Sequence, residues 1–169
     1  MTEYEFIQNV QTYQSRILRL CNNILLNQQA AEDAAQEIFL KAWVKRDQFR
    51  AQSQYSTWLH AIAVNTCLSL KKKTRPQVEL SESVPASESY TGNLDIETAL
   101  LKLKPRDRAI LYLRAVEEYE FHEIAKMLNI SVSAARKRYE RAKIKFREKF
   151  KHNEGGILNE SRPTFDGCI

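Results

Sequence analysis

The chain has 169 residues, of which 43% are apolar and 28% are charged, which excludes a chain that is disordered throughout. With 4 Gly and 4 Pro, the composition favours helices over a turn-rich β architecture. The longest stretch without a charge, residues 51–70, is too polar for a membrane span. The start of the chain lacks the pattern of a signal peptide, so we expect a cytoplasmic protein.

The net charge of +5 is distributed unevenly along the chain. Residues 1–75 carry +4 and residues 94–152 carry +6, whereas residues 76–93 carry −3 and residues 153–169 carry −2. Two basic blocks therefore lie on either side of an acidic strip, and an acidic tail follows. This distribution is typical of two modules that each face a polyanion.

In residues 1–75, apolar side chains recur at intervals of three and four residues, the period of an α-helix. Three such stripes predict a bundle of three or four helices. Cys21 and Cys67 lie on these stripes and are interpreted as buried thiols of a reducing compartment. A zinc site at His60 and Cys67 lacks a second pair of ligands, so no metal site is predicted.

Residues 76–93, PQVELSESVPASESYTGN, contain two prolines and three glutamates and no basic residue. Neither a helical nor a strand period is present, which indicates a flexible linker. Its like charges should keep it extended and away from nucleic acid.

Helical periodicity returns after the linker and predicts helices over residues 94–103, 105–115, 121–128 and 132–151. Pro105 fits the first turn of its helix. The predicted fold class is all-α, with two small helical bundles joined by a flexible linker. Residues 153–169 are expected to form a flexible end, or alternatively a segment that folds back on the basic helix.

The sequence FHEIAKMLNISVSAARKRYERAK, residues 121–143, meets the physical requirements of a helix-turn-helix. Asn129 tolerates a left-handed backbone, Ser131 can cap the following helix, and Ala125 and Ala135 are small where the helices cross. The second helix is expected to bury Val132, Ala135, Tyr139, Ala142, Phe146 and Phe150. The start of its opposite face carries polar and basic residues of the kind that contact base edges and phosphates, namely Ser133, Arg136, Lys137, Glu140 and Arg141.

Residues 31–73 (AEDAAQEIFLKAWVKRDQFRAQSQYSTWLHAIAVNTCLSLKKK) resemble region two of the extracytoplasmic-function (ECF) sigma factors, the small promoter-specificity subunits of bacterial RNA polymerase. Residues 94–143 resemble their region four, and the two occur in the family's order. The resemblance implies a sigma factor without enzymatic activity, cofactor or metal. Its region two would occupy residues 1–75, its linker 76–93 and its region four 94–152, followed by the tail 153–169.

The resemblance also implies three sets of contact residues. Those for core RNA polymerase are Asp33, Gln36, Glu37, Phe39, Leu40 and Trp43. Those for the minus-ten promoter element are Phe49, Gln52, Ser53, Tyr55, Asn65, Lys71, Lys72 and Lys73, which fit an unpaired base held against an aromatic wall near cations. Those for the upstream, minus-thirty-five element are Ser133, Ala134, Arg136, Lys137, Glu140 and Arg141.

The sequence departs from the family pattern at three places. Val64 replaces a usual basic residue, Ala134–Ala135 replaces a common Thr-Val, and the loop before the helix-turn-helix reads EEYEFHEIA where Gly is usual. Since Ala134 cannot donate a hydrogen bond from its side chain, upstream selectivity would depend more on its charged neighbours and on DNA shape.

Core RNA polymerase, promoter DNA and an anti-sigma protein are the partners that the resemblance implies. Two other functions remain open at this point. A stand-alone helix-turn-helix regulator would have no use for the DAAQEIFLKAW surface. A sigma-mimicking protein that sequesters an anti-sigma partner would support no promoter-dependent transcription.

Overall fold

The structure, a computed structural model, describes residues 1–49, 54–73 and 94–153. Within these ranges the regular structure is helical, as predicted, and no strand occurs. The helices are α1 (Glu3–Leu25), α2 (Gln28–Val44), α3 (Tyr55–Lys73), α4 (Leu94–Leu101), α5 (Pro105–Ala115), α6 (Phe121–Leu128) and α7 (Val132–Asn153), with a 3-10 turn at Arg46–Gln48. The linker 76–93 and the tail 154–169 lie outside the described residues.

The first module, α1–α3, is a three-helix bundle whose turns are specified locally. Thr2 begins α1 with a reciprocal capping box: the Glu5 amide donates to the Thr2 hydroxyl at 3.2 Å, and the Thr2 amide donates to the Glu5 carboxylate at 2.8 Å. Leu26 ends α1 in a left-handed conformation, with φ of 52°. Asn27 caps α2 by accepting from the Ala30 amide at 2.8 Å. The three apolar stripes meet inside the bundle, where Ile17, Leu20, Ile24, Ile38 and Leu59 are fully buried.

The second module, α4–α7, contains the predicted helix-turn-helix in α6 and α7. Asn129 ends α6 in the left-handed conformation, with φ of 50° and ψ of 55°. Ser131 then accepts from the Ala134 amide at 3.1 Å and so caps α7. Ala125 and Ala135, the small residues predicted at the helix crossing, are both buried, and so is Ala142 of the predicted stripe. Pro105 is the first residue of α5, also as predicted.

Several details of the second module differ from the prediction. Helix α7 runs to Asn153 rather than to residue 151, and Tyr139 and Phe146 of its predicted stripe are only half-buried, whereas the side chain of Phe150 lies outside the described residues. The helix α4 ends at Leu101 rather than at residue 103, because the chain tightens into a turn in which the Leu103 amide donates to the Leu100 carbonyl at 3.0 Å. Val132 was predicted to be buried, but its side chain is 40% exposed. Val132 is the first residue of α7 and lies next to the exposed Ser131, at the edge of the bundle rather than inside it.

The two modules pack directly against each other. Helix α3 lies on α6 and α1 lies on α5, so the buried apolar residues of both modules form one connected core. The guanidinium of Arg108 in α5 donates to the Ile24 carbonyl of α1, 84 residues away in sequence. The packing of α3 on α6 places one face of α3 beside the helix-turn-helix.

Candidate nucleic-acid and partner interfaces

The first candidate surface is the outer face of α7, opposite its buried alanines. The structure brings the predicted upstream-element residues together there: Ser133, Arg136, Lys137, Glu140 and Arg141 are exposed, and Ala134 is half-buried. Glu140 forms an ion pair with Lys143 at 2.9 Å. The face thus presents cations and the Ser133 hydroxyl to solvent, where groups that contact a DNA groove have to lie.

The ring of Phe121, the first residue of α6, also supports this surface. The guanidinium of Arg136 lies 5.2 Å from the Phe121 ring centroid, and that of Arg114 lies 5.3 Å from it. Phe121 also contacts Tyr139 edge-on at 5.5 Å. Arg136 is therefore held where α6 and α7 meet, whereas its neighbour Arg138 turns inward to Asp107 at 3.0 Å.

The second candidate surface is an aromatic cluster at the start of α3. Phe49, Tyr55 and Trp58 contact one another with centroid distances of 5.4–5.5 Å, and Tyr13 joins at 5.7 Å from Tyr55. All four rings are half-buried, so part of their area faces solvent. Burial raises the pKa of Tyr55 to about 12 and keeps the phenol neutral. Such a wall is suited to stacking against an unpaired base.

The remaining residues predicted for the minus-ten element are spread along the chain. Gln52 and Ser53 lie outside the described residues. Asn65 lies ten residues after Tyr55, about 15 Å along α3. The three lysines 71–73 form the last turn of that helix, where cations complement the helix dipole. Lys72 and Lys73 are exposed, whereas burial, together with the charge of Arg108, lowers the pKa of Lys71.

The side chain of Asn65 is exposed, but its amide is already engaged. It donates to the Ala61 carbonyl at 2.7 Å and, across the module boundary, to the Met127 carbonyl of α6 at 3.1 Å. Val64, the departure from the family pattern, is fully buried next to it.

The third candidate surface is the outer face of α2. Asp33 and Gln36 are exposed, Leu40 is 67% exposed, and Glu37 forms an ion pair with Lys41 at 2.6 Å. The two aromatic residues predicted there are both half-buried. Phe39 lines a groove of about 360 Å³ between α1 and α2, and Trp43 packs against Phe6 and beneath the guanidinium of Arg46. Tyr4, Ile7 and Val44 are further exposed apolar residues of the first module.

A polar cluster between the modules was not predicted at all. Glu117, in the turn after α5, receives two hydrogen bonds from Arg16 of α1, from Nε at 3.0 Å and Nη2 at 2.6 Å. His60 of α3 points Nε2 at the same carboxylate oxygen at 3.4 Å, and its Nδ1 contacts the Ser56 carbonyl at 2.8 Å and the Tyr119 hydroxyl at 3.1 Å. Burial alone would raise the pKa of Glu117, but the hydrogen bonds from His60 and Arg16 outweigh it and leave the pKa below its ordinary value.

Neither metal nor membrane chemistry is suggested by the part of the chain that the structure describes. No cluster of three or more metal-ligating side chains occurs there, and none of its helices has the length and apolar character to cross a membrane. Cys21 and Cys67 are buried free thiols, as predicted. A hydrogen bond with Cys67 and burial raise the pKa of Cys21, which makes it a poor nucleophile.

Comparisons with known proteins point to one family. The family model for sigma-70 region 2 matches residues 10–76, and that for sigma-70 region 4 matches residues 93–146. The ECF RNA polymerase sigma factor SigW of Bacillus subtilis is 30% identical over 166 residues, covering 86% of this chain and 89% of SigW.

Two solved structures share the fold. One is the sigma factor RpoE in complex with the anti-sigma factor NepR from Bartonella quintana, with a TM-score of 0.75 and 23% identity over 87% of this chain and 97% of that one. The other is CnrH in complex with the cytosolic domain of CnrY, with a TM-score of 0.69 and 22% identity over 90% and 91% of the two chains.

Proposed function

Since this chain belongs to the ECF sigma factors, alternative subunits that direct RNA polymerase to promoters, we propose a division of that task between its two modules. Residues 1–75 bind core polymerase and open the minus-ten element, and residues 94–152 recognise the upstream element. The linker 76–93 spans the two contacts. The protein has no enzymatic activity of its own and acts in the cytoplasm.

The upstream contact is assigned to the outer face of α7, and the observation that carries it is the helix-turn-helix geometry. The left-handed Asn129 and the Ser131 cap direct α7 away from α6, so that its first three turns present Arg136 and Arg141 to solvent. Ser133, Lys137 and Glu140 complete the face, and Ala134 contributes only apolar contact. Cations at the start of a recognition helix can contact guanine edges and phosphates.

The minus-ten contact is assigned to the start and the end of α3. The rings of Phe49 and Tyr55 would stack against an unpaired base, Gln52, Ser53 and Asn65 would supply hydrogen bonds, and the lysines 71–73 would contact phosphates. The half-exposed aromatic cluster supports this assignment, since a closed core would leave no ring face available.

The polymerase contact is assigned to the outer face of α2. The exposed Leu40 is an apolar anchor, and the acidic and amide groups of Asp33, Gln36 and Glu37 surround it. Phe39 and Trp43 would shape this surface from below, since each is half-buried. An anti-sigma partner is proposed on the basis of the two structural relatives, which were solved with such partners.

Reconstituted transcription tests the assignment of the upstream contact. Core polymerase is mixed with the purified chain, and start sites are mapped on a genomic library. Arg136→Ala with Arg141→Ala should abolish upstream selection but leave the complex with core polymerase intact on size exclusion. The matched control, Lys102→Ala with Lys145→Ala, removes the same charge from exposed positions of the same module and should retain selection. Retained upstream selection in the arginine variant would refute the residue assignment.

The same reconstitution separates the family function from the two alternatives. A stand-alone regulator would form no complex with core polymerase. A sigma mimic would yield no run-off transcript.

A further inference from the structure

In this structure the second module contacts part of the α3 face that the proposed function assigns to DNA. Asn65 donates to the Met127 carbonyl at 3.1 Å, and the hydroxyl of Thr57 donates to the Glu123 carboxylate at 3.2 Å. Both acceptors belong to α6, the first helix of the helix-turn-helix. The minus-ten strand and α6 therefore compete for Asn65, and α6 also engages the neighbouring Thr57.

The geometry of a promoter makes this packing incompatible with function. The minus-ten and minus-thirty-five elements are separated by about 25 base pairs, or roughly 85 Å of B-DNA. In the structure, the α6 residue that accepts from Asn65 is Met127, only five residues before α7 begins. The two surfaces cannot contact their separate elements until α6 leaves α3.

A buried carboxylate holds the modules together. The side chain of Glu117 is 2% exposed, and its carboxylate lies against Arg16 at 2.6 Å and the His60 ring at 3.4 Å, which come from α1 and α3 of the first module. Removing one partner would leave buried charge without compensation, which is strongly unfavourable.

The turn that presents Glu117 is built for this contact. Glu118 follows it with φ of 58°, the left-handed region that disfavours residues with a Cβ. The Tyr119 amide donates to the Leu113 carbonyl at 3.0 Å, and the Tyr119 side chain packs edge-on against His60 at 5.2 Å. The strained residue thus lies between two side chains that both bind the first module.

The polar groups that pair across the boundary can be hydrated when it opens, whereas the apolar residues that join the two modules in one core oppose the opening. Arg16 is already 44% exposed on its side chain, so water can reach the pair.

We propose that Glu117, clamped by Arg16 and His60, latches the chain in a closed form in which α6 competes with the minus-ten strand for α3. Release of this latch is then required for promoter binding, in addition to any effect of an anti-sigma partner. The proposal rests on the assignment of α3 to the minus-ten element, so its test includes a measurement that does not depend on that assignment.

The first measurement is the distance between the modules. Spin labels on Gln11→Cys in α1 and His122→Cys in α6, in a chain with Cys168→Ser, report it by pulsed electron resonance. Both labelled positions are exposed, and the two native cysteines that remain are buried. The labelled chain that retains Arg16 should give a single short distance between the two labels. Arg16→Ala should add a longer, broader population, whereas the exposed cation control Lys45→Ala should not.

The second measurement is binding of a fluorescein-labelled pool of 12-nucleotide single strands of randomised sequence. Losing a charge-assisted hydrogen bond at a half-exposed site should shift the closed-to-open ratio, and with it the apparent affinity, by about tenfold. Arg16→Ala should therefore bind the pool about tenfold more tightly than Lys45→Ala. If Arg16→Ala fails to fold, Glu117→Gln tests the same latch from the second module.

Each other outcome overturns the proposal in a recognisable way. Unchanged distances in Arg16→Ala would show that the ion pair is not a latch. Longer distances with unchanged affinity would show that α6 does not compete with DNA. Longer distances with no binding of the pool by any variant would instead reject the assignment of α3 to the minus-ten strand.

Discussion

Arg108 provides a stability prediction that can be worked out from its contacts. Its side chain is buried, and burial lowers its pKa to about 10 despite the nearby charge of Asp107. Nη1 donates to the Leu100 carbonyl at 3.2 Å and the Leu103 carbonyl at 2.6 Å, and Nη2 donates to the Ile24 carbonyl. One guanidinium thus satisfies main-chain acceptors at the ends of α4 and α1, which carry partial negative charge.

The magnitude of an Arg108→Met substitution follows from two opposing terms. Hydrogen bonds to a charged donor contribute roughly 1.5–3 kcal/mol each, so three lost bonds would cost about 4.5–9 kcal/mol. Removing the buried charge returns a desolvation penalty of several kcal/mol. We expect the first term to prevail, with a net loss of about 3 kcal/mol in the free energy of unfolding.

Urea denaturation followed by circular dichroism measures this loss. Arg106→Met is the matched control, because Arg106 lies two residues earlier in the same helix and is only half-buried. It should change the free energy of unfolding by less than about 0.5 kcal/mol. A loss below about 1 kcal/mol in Arg108→Met would refute the reasoning, because desolvation would then cancel the hydrogen bonds.

Further predictions concern other features of the two modules. Asn129→Ala should lower the free energy of unfolding by about 1 kcal/mol, and Asn129→Gly should not, since the left-handed backbone penalises Cβ; thermal melts of both variants would show the difference. Leu40→Asp should weaken the complex with core polymerase at least tenfold by fluorescence titration without lowering the melting temperature, because Leu40 is largely exposed. The packed state holds the pKa of Glu117 below its ordinary value of 4.5, so its contribution to closure is fully present above about pH 4.5 and is lost as the pH falls through the lowered value. The difference in closure between the chain and Glu117→Gln should therefore shrink on acidification, as spin-label distances would show.

The helices were predictable from sequence because each is specified by local signals. Apolar periodicity placed α1–α3 and α5–α7, and Pro105, Asn129 and Ser131 marked boundaries that the structure confirms. The error at Val132 has the same origin, since periodicity describes the interior of a helix and not its first residue.

The packing of the modules could not be predicted, because its contacts join residues distant in sequence. Arg16 and Glu117 are 101 residues apart and His60 and Tyr119 are 59 apart, and neither pair has a local pattern that favours pairing. The burial of Arg108 and Glu117 could not be predicted either, because charged residues usually lie on the surface. The sequence feature that indicates a buried charge is Arg108, which lies within the apolar pattern of α5.

The loop before the helix-turn-helix shows how a departure from the family pattern acquires a physical meaning. Where Gly is usual in the family, this chain has two glutamates, and the second of them, Glu118, adopts the left-handed conformation that Gly would take without strain. The left-handed conformation costs roughly 1–2 kcal/mol, and the ion pair that the adjacent Glu117 forms with Arg16 offsets this cost. A Glu118→Gly variant should therefore keep the closed form and gain stability, because it relieves the backbone and leaves Glu117 in place. If it opened the modules instead, the turn and not the ion pair would hold them together.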